Sequence, residues 1–364
     1  MTLAPGAELE LAIERLAAGG DGVAHSDGLT VFVPRSAPGD RLRVRVSEAR
    51  PRFARAELVE ILSPGPARRA APCPYYGRCG GCSWLHLDEA EQLRARVGIA
   101  RAALERIARR AQLPEIEVVA SPRALGYRAR ARVAHAGERV GFRARASHDV
   151  VDVATCAVLD PATQAELTRL RESRLSGEGE IEIRGVGASV ELAGKRLEIG
   201  PGAFFQANRS LWERWQAVVL EACGAGGLAI ELYCGVGFYT VGLAQRFARV
   251  VAVERSPAAA ASAARNAAAE VLTDAAEHWA PRNLGRLAPE LVLLNPPRVG
   301  CHQTVSDAIA ACGAERIVYV SCEPATLARD LARIGLGFRI ARLVLLDALP
   351  QTHHVELVAV LECN

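Results

Sequence analysis

The chain has 364 residues, 50% of them hydrophobic and 23% charged, with a formal net charge of only +3. That length predicts two or three domains with cores of their own, and no apolar run reaches the roughly eighteen residues of a bilayer span. The first residues carry acidic side chains where a leader would carry basic ones, so neither export nor a membrane is expected and the cytoplasm is the expected compartment.

Positive charge gathers at the front: residues 1–150 hold 24 arginines against 17 acidic residues, and Lys195 is the only lysine in the chain. Residues 10–13, 21–24, 30–33 and 41–46 alternate apolar and polar side chains between Gly-rich turns, which predicts a small five-stranded barrel. The period of two sets Arg41, Arg43 and Arg45 on one face of the last of these strands, and Arg50, Arg52 and Arg55 follow. That pattern suits nucleic-acid contact as well as a solvated edge. Residues 63–66, Ser-Pro-Gly-Pro, read as a linker. A helix is predicted over about residues 88–111. In the strand-rich region beyond it, Arg128, Arg130 and Arg132 alternate with small apolar residues, and Arg143 and Arg145 extend this second basic face. From about residue 202 strands alternate with Ala-rich helices. Apolar strands at 228–233, 250–254, 291–294, 317–320 and 355–361 predict a doubly wound, Rossmann-like α/β domain.

Three groups of residues carry chemistry. Without a leader, ten cysteines do not make a disulfide framework, so metal binding or catalysis is the better reading. Cys73, Cys79 and Cys82 are spaced C-x5-C-x2-C, with Cys156 a possible fourth ligand; four thiolates hold an iron-sulfur cluster or a tetrahedral zinc, and the cluster is favoured. Tyr233, Gly235 and Gly237 lie where a strand turns into a helix, and Glu254 closes the next strand. Glycines there admit a ligand to the backbone, and the later carboxylate accepts from ribose hydroxyls. The third glycine of the dinucleotide fingerprint is replaced by Thr240, which tilts the reading from NAD to S-adenosylmethionine, with Asp274 as a partner for the adenine amino group. Cys322 follows an apolar strand, at the end where open α/β sheets place their chemistry. A free cysteine ordinarily packs as a small hydrophobe, but the runs Asn295-Pro296-Pro297-Arg298 and Ser321-Cys322-Glu323-Pro324-Ala325-Thr326 together describe a cysteine nucleophile.

Residues 298–326 and 346–356, the latter reading Leu-Asp-Ala-Leu-Pro-Gln-Thr-His-His-Val-Glu, resemble the two signatures of the RNA uracil-5 methyltransferase family. The resemblance is to its branch with a TRAM barrel and an iron-sulfur cluster, and it runs through nearly the whole chain. It implies three units: a TRAM barrel over residues 1–62 that binds RNA, a central domain over 63–203, and a methyltransferase domain over 204–364. It further implies that Cys73, Cys79, Cys82 and Cys156 hold a 4Fe-4S cluster and that Gln206 lies near the methyl donor. In the family's reaction a thiolate adds to carbon 6 of uracil, carbon 5 takes the methyl group, and a base removes the carbon 5 proton. Cys322 and Glu356 fit those two roles. Asn295 stands where many relatives carry aspartate; its amide still offers a donor and an acceptor to the uracil edge. Glu323 stands where asparagine is usual. The target base must leave its stack, so a loop or an opened helix is expected as substrate.

Ribosomal RNA, 23S rRNA in particular, is preferred to transfer RNA by analogy with the family's large-subunit enzymes, and a monomer is expected. Other readings are a tRNA uridine-5 methyltransferase, a nucleotide-dependent oxidoreductase, and a non-catalytic iron-sulfur RNA-binding protein. The last two leave Cys322 and Glu356 without a role. Radical methylthiolation needs a C-x3-C-x2-C trio that is absent.

Overall fold

The computed structural model describes residues 3–108 and 112–364. Its first unit is a sheet of six strands: β1 (Glu8–Ala12), β2 (Arg15–Leu16), β3 (Gly22–Ser26), β4 (Leu29–Val33), β5 (Arg41–Ala49) and β6 (Phe53–Ser63). They are ordered β1-β5-β6-β4-β3-β2. The sequence reading expected five strands. The sixth is the two-residue β2, too short to show the alternation that marks a strand in sequence. Along β5, Leu42 and Val44 turn inward to meet Val31, Val33 and Ala54, and Val46 is likewise buried, while Arg41 and Arg45 stay exposed.

The middle segment opens with α1 (Glu89–Ile107), whose N-terminus is capped by Asp88 accepting from the Glu91 N–H at 2.7 Å. Residues 109–111, the expected end of this helix, lie outside the described residues. Next come β7 (Ile116–Val119), β8 (Arg130–Ala136), β9 (Arg139–Arg143), β10 (Val150–Asp152), α2 (Pro161–Glu172), β11 (Glu178–Arg184), β12 (Ser189–Leu192) and β13 (Lys195–Glu198). Strands β10-β9-β8-β11 make an antiparallel sheet, and α2 packs against it through Leu167. β7 joins the large sheet of the next unit instead, parallel to its edge strand.

The last unit contains α3 (Trp212–Cys223), β14 (Gly226–Leu232), α4 (Thr240–Leu243), β15 (Phe247–Glu254), α5 (Pro257–Asn266), β16 (Glu270–Thr273), α6 (Ala276–Leu287) and β17 (Leu291–Leu294). It ends with α7 (Gln303–Ala311), β18 (Arg316–Ser321), α8 (Pro324–Ile334), β19 (Phe338–Leu346) and β20 (Glu356–Cys363). Its eight-stranded sheet runs β16-β15-β14-β17-β18-β20-β19-β7, with β14 to β18 parallel and β20 antiparallel to both neighbours. Leu291 to Leu294 are buried throughout, as a strand covered by helices on both faces requires. The order reverses at β14: β15 and β16 lie to one side, β17 and β18 to the other. A crevice at such a switch point, beyond the carboxyl ends of the strands, is where open α/β sheets bind ligands. Among the described residues no helix is long and apolar enough to cross a membrane.

One buried cation ties the middle segment to this sheet. Arg96 of α1, 1% exposed, donates to Asp347 Oδ1 at 2.8 Å and to the Thr352 carbonyl at 2.9 Å. Asp347 begins the loop that leads into β20. Removing one partner of a buried pair leaves the other charge uncompensated, so Arg96→Met should lower stability in urea unfolding by about 3–5 kcal/mol. Arg96→Met combined with Asp347→Leu should recover much of that loss; a double variant no more stable than the single would refute this account of the pair.

Candidate active site

The turn after β14 is built for close approach. Tyr233, Gly235 and Gly237 all take positive φ, at 63°, 58° and 87°. A Cβ on Gly237 would meet the Ala263 Cα at 3.2 Å, so glycine is needed there for space as well as for φ. The Glu254 carboxylate at the end of β15 accepts from the Gly235 N–H at 3.0 Å and from the Ser256 N–H at 2.8 Å, which fixes the turn against the neighbouring strand. Beneath it Glu231 is buried and its carboxyl is pushed up to about 8 by burial, with the Thr240 hydroxyl donating to it at 2.6 Å. A cavity of about 510 Å³ opens beyond the strand ends, lined by Tyr233, Arg255, Asp274, Pro297 and His302 among others. Asp274 accepts from the Ala275 N–H and from Arg282 at its rim. Of the residues expected to bind the methyl donor, Tyr233 and Asp274 line this cavity, and Gly235, Gly237 and Glu254 build the turn beside it. Asn295 follows β17, across the switch point, and Gln206 is buried with its carbonyl accepting from the Trp212 indole at 2.8 Å; neither lines the cavity. Open space at Gly235, where an added Cβ would meet nothing within 4 Å, and a carboxylate one strand away fit a nucleoside-bearing ligand.

Cys322 and Glu356 come together through strand pairing. Ser321 of β18 pairs with Leu357 of β20, so the next step along this antiparallel ladder sets Cys322 opposite Glu356. Burial, and then the Glu356 charge, push the Cys322 thiol up to about 11, while Arg298 pulls it down. Burial pushes the Glu356 carboxyl up to about 8, again opposed by Arg298. The Arg298 guanidinium lies 3.3 Å from the His354 ring nitrogens. Burial, then His353 and Arg298, hold that imidazole at about 3, so it stays neutral. Glu323 turns to cap its own helix, accepting from the Ala325 N–H at 3.4 Å. Its charge is the smallest of the influences on the thiol.

Cys73, Cys79, Cys82 and Cys156 are all free thiols and line one cavity of about 500 Å³, although Cys156 is 74 positions beyond Cys82 in the chain. A Cβ on Gly80 would stand 3.0 Å from the Arg143 carbonyl, so the tight turn between these cysteines is imposed by packing. Burial raises the thiols of Cys79, Cys82 and Cys156, Cys82 to about 12, and Arg128 opposes it at all three. Arg298 and His354 line the same cavity, so it abuts the Cys322 site. Among the described residues no three His, Cys, Asp or Glu side chains form a ready site for a single metal ion.

The two basic faces expected from the sequence are largely neutralised. Glu8 and Glu10 of β1 stand directly opposite Arg45 and Arg43 of β5, and Arg45 donates to Glu8 at 2.8 Å while Arg43 pairs with both Glu10 and Glu60. On the second sheet Arg130 pairs with Glu182, and Arg132 and Arg143 with Glu180. Each strand's alternation is legible in sequence; its cross-strand partner is not. Sequence reasoning also gave no role to Arg96, Thr326, Arg329 and Asp330. Three of these share the i, i+3, i+4 face of α8, a helical spacing that could have drawn notice.

A doubly wound sheet with a glycine turn at its switch point, joined to a mixed six-stranded sheet, defines a methyltransferase-type α/β fold with an appended β-domain. The model of the tRNA (Uracil-5-)-methyltransferase family matches residues 187–276 and 280–363, and that of the TRAM domain matches residues 3–59. The chain is 34% identical to the 23S rRNA (uracil(1939)-C(5))-methyltransferase of Pseudomonas aeruginosa, over 99% of this chain and 95% of that one. It is 29% identical to an uncharacterized RNA methyltransferase of Bdellovibrio bacteriovorus, over 99% and 96%. In fold it is similar to the Pyrococcus abyssi tRNA (uracil-54, C5)-methyltransferase solved with S-adenosyl-L-homocysteine, with a TM-score of 0.75, 24% identity and coverage of 97% and 100%. The chain belongs to the RNA uracil-5 methyltransferase family, in its TRAM-containing form.

The electrostatics give a pH dependence. Below about pH 8 Glu356 is protonated and neutral; above it the carboxylate charges and raises the Cys322 thiol. Glu356→Gln should therefore leave alkylation of Cys322 by iodoacetamide little changed at pH 7 and speed it at pH 9, followed by mass spectrometry of the Cys322 peptide. An unchanged rate at pH 9 would show that the thiol does not feel this carboxylate.

Proposed function

We propose that this protein transfers a methyl group from S-adenosylmethionine to carbon 5 of a uridine in RNA, with 23S rRNA as its substrate. The observation that carries this reading is the convergence of Cys322 and Glu356 at the carboxyl end of β18, beside the switch-point crevice. The preference for 23S rRNA rests on the 34% identity, over almost all of both chains, to an enzyme of that name. The same convergence counts against a protein that only binds RNA, which has no use for a thiol and a carboxyl held together.

Uracil carbon 5 is too weak a nucleophile to attack a methyl sulfonium unaided. The Cys322 thiolate forms a bond to carbon 6, and the carbon 5–carbon 6 π electrons move onto the carbon 4 oxygen. S-adenosylmethionine, when bound, supplies the electrophilic methyl group. After carbon 5 is alkylated, Glu356 takes its proton, the double bond re-forms and the sulfur leaves carbon 6. Arg298 favours the charged forms of both residues. Asn295, at the end of β17, offers an amide to the uracil edge. Phe204, 60% exposed with the Arg130 guanidinium 4.8 Å above its ring, offers an aromatic surface to an unstacked base.

We further read the unit over residues 1–62 as an RNA-binding barrel, 63–203 as a central domain and 204–364 as the catalytic domain. Four thiols around one cavity, with Arg128 against their charge, fit a 4Fe-4S cluster held by Cys73, Cys79, Cys82 and Cys156. Such a cluster would cross-link the loop of Cys73–Cys82 to the segment after β10.

Two experiments test this. With separated ribosomal and transfer RNA and labelled methyl donor, Glu356→Gln should accumulate a methylated protein–RNA adduct stable to denaturing gels, and on the ribosomal fraction. Cys322→Ala should form none; methylation by Cys322→Ala would remove Cys322 from the role of nucleophile, and trapping on tRNA would change the substrate. Protein purified without oxygen should be brown and carry about four irons; a colourless protein with one zinc would overturn the cluster.

A further inference from the structure

The loop that carries Arg298 has little of its own to hold it in place. Arg298 and Val299 are exposed, Val299 at 72%, so core packing does not fix them. What meets the loop is one face of α8, the helix that starts two residues after Cys322. Thr326 donates to the Arg298 carbonyl at 3.0 Å. Arg329 donates to the Val299 carbonyl at 2.8 Å and the Cys301 carbonyl at 3.4 Å. Asp330, fully buried, accepts from the Cys301 N–H at 2.7 Å and from the Tyr319 hydroxyl of β18 at 2.8 Å. Its other oxygen accepts from Arg329 at 2.9 Å and Arg333 at 3.4 Å. Between these contacts Gly300 takes φ +75°, and a Cβ there would stand 2.4 Å from Asp330 Oδ2 and 2.5 Å from Arg329 Nη2. The loop backbone therefore lies directly on the helix, with every side chain larger than hydrogen excluded at the point of contact.

We propose that Thr326, Arg329 and Asp330 are positioning residues: they clamp residues 298–301 onto α8 and so fix the Arg298 guanidinium relative to the Cys322 sulfur. The three are spaced i, i+3 and i+4, so a single helical face makes all the contacts. One helix then sets both partners, Cys322 through its start and Arg298 through its flank, and Tyr319 ties the same carboxylate to the strand that ends at Ser321. The functional meaning of the clamp rests on Cys322 being the nucleophile; the clamp's effect on the thiol does not, and is measurable without RNA or methyl donor.

The test is the alkylation rate of Cys322 at pH 8.5 in the full-length protein, read peptide by peptide, beside the thermal midpoint. The charged groups facing the thiol are Glu356, Arg298 and Glu323; those facing Asp330 are Arg329 and Arg333, beside the neutral Tyr319 hydroxyl that donates to it and the Cys301 thiol that adjoins Tyr319. Removing a negative charge by Asp330→Asn would, through simple electrostatics, speed thiolate formation. The clamp predicts the opposite: a loss of roughly three- to tenfold, equivalent to half a unit to one unit of thiol acidity, because Arg298 is no longer held in place. Thr326→Val, which keeps shape and removes one bond, should slow the reaction in the same direction by less, and keeps the test open if Asp330→Asn folds poorly. In an Arg298→Leu background neither change should slow it further. A faster or unchanged Cys322 with a lowered thermal midpoint would make the clamp purely structural, and full additivity with Arg298→Leu would equally overturn it. Should the clamp variants behave as stated while Cys322→Ala still methylates RNA, the geometry stands and the catalytic assignment falls.

Discussion

The buried contact between Arg96 and the loop 347–352 is the constraint on which the active site depends. Burial lowers the Arg96 guanidinium and raises the Asp347 carboxyl from their ordinary values, so the pair is held at a cost. Its return is geometric. Arg96 also lies 5.5 Å from the Trp84 ring, and the Trp84 indole donates to the Gly20 carbonyl at 2.9 Å, so the line of contacts runs from the barrel through α1 to the segment that delivers Glu356. Gln351, at φ +68°, is pinned there from both ends: its N–H donates to Gln92 at 2.8 Å, and its carbonyl accepts from the Ser83 and Trp84 N–H groups. Tyr127 donates to the Pro350 carbonyl from the other side at 2.8 Å. A non-glycine backbone held in the left-handed region by so many partners marks a loop whose path is over-determined.

That rigidity matters because the site it delivers is electrostatically unfavourable at rest. Burial opposes charge on Cys322 and Glu356 alike, and the Glu356 charge opposes it further on Cys322, so the thiol is not ionised without help. Arg298 is the cation that acts on both. An unliganded site that keeps its thiol protonated is protected from stray alkylation and oxidation, since the thiolate is the reactive form. The neutral His354 imidazole against Arg298 contributes no competing positive charge, so the guanidinium remains the local source of it. Glu323, which from sequence alone looks hostile to a thiolate, turns its carboxylate to the Ala325 N–H in the first turn of α8, where the helix dipole favours a negative charge.

How much of this was legible in the sequence depended on the range of the interaction. Strand alternation and the glycine turn are local patterns, and the strands at residues 291–294 and 317–320 fall within the observed β17 and β18. Local pattern also singled out Cys322 and the close trio Cys73, Cys79 and Cys82, whereas Glu356 was singled out only by the resemblance to the family. What was not legible is what comes from afar. β7 leaves its neighbours to join the last sheet beside β19, and β2 is too short to alternate. The arginine faces looked basic because their glutamates sit on other strands, 37 positions away for Glu8 and Arg45 and 52 for Arg130 and Glu182. Arg96 looks like any exposed cation on an amphipathic helix, since its partners lie about 250 positions along the chain.

The redistribution of charge bears on how RNA is held. Opposite charges directly across a ladder stabilise a sheet and leave less net potential for phosphate, so the surplus of arginine in the front half does not translate into two uniform basic surfaces. Arginines collect instead around the cysteine cavity, where Arg128, Arg132, Arg143, Arg145 and Arg298 are lining residues. There the positive charge faces buried thiols: burial disfavours their charged form, and Arg128 acts against burial on three of the four.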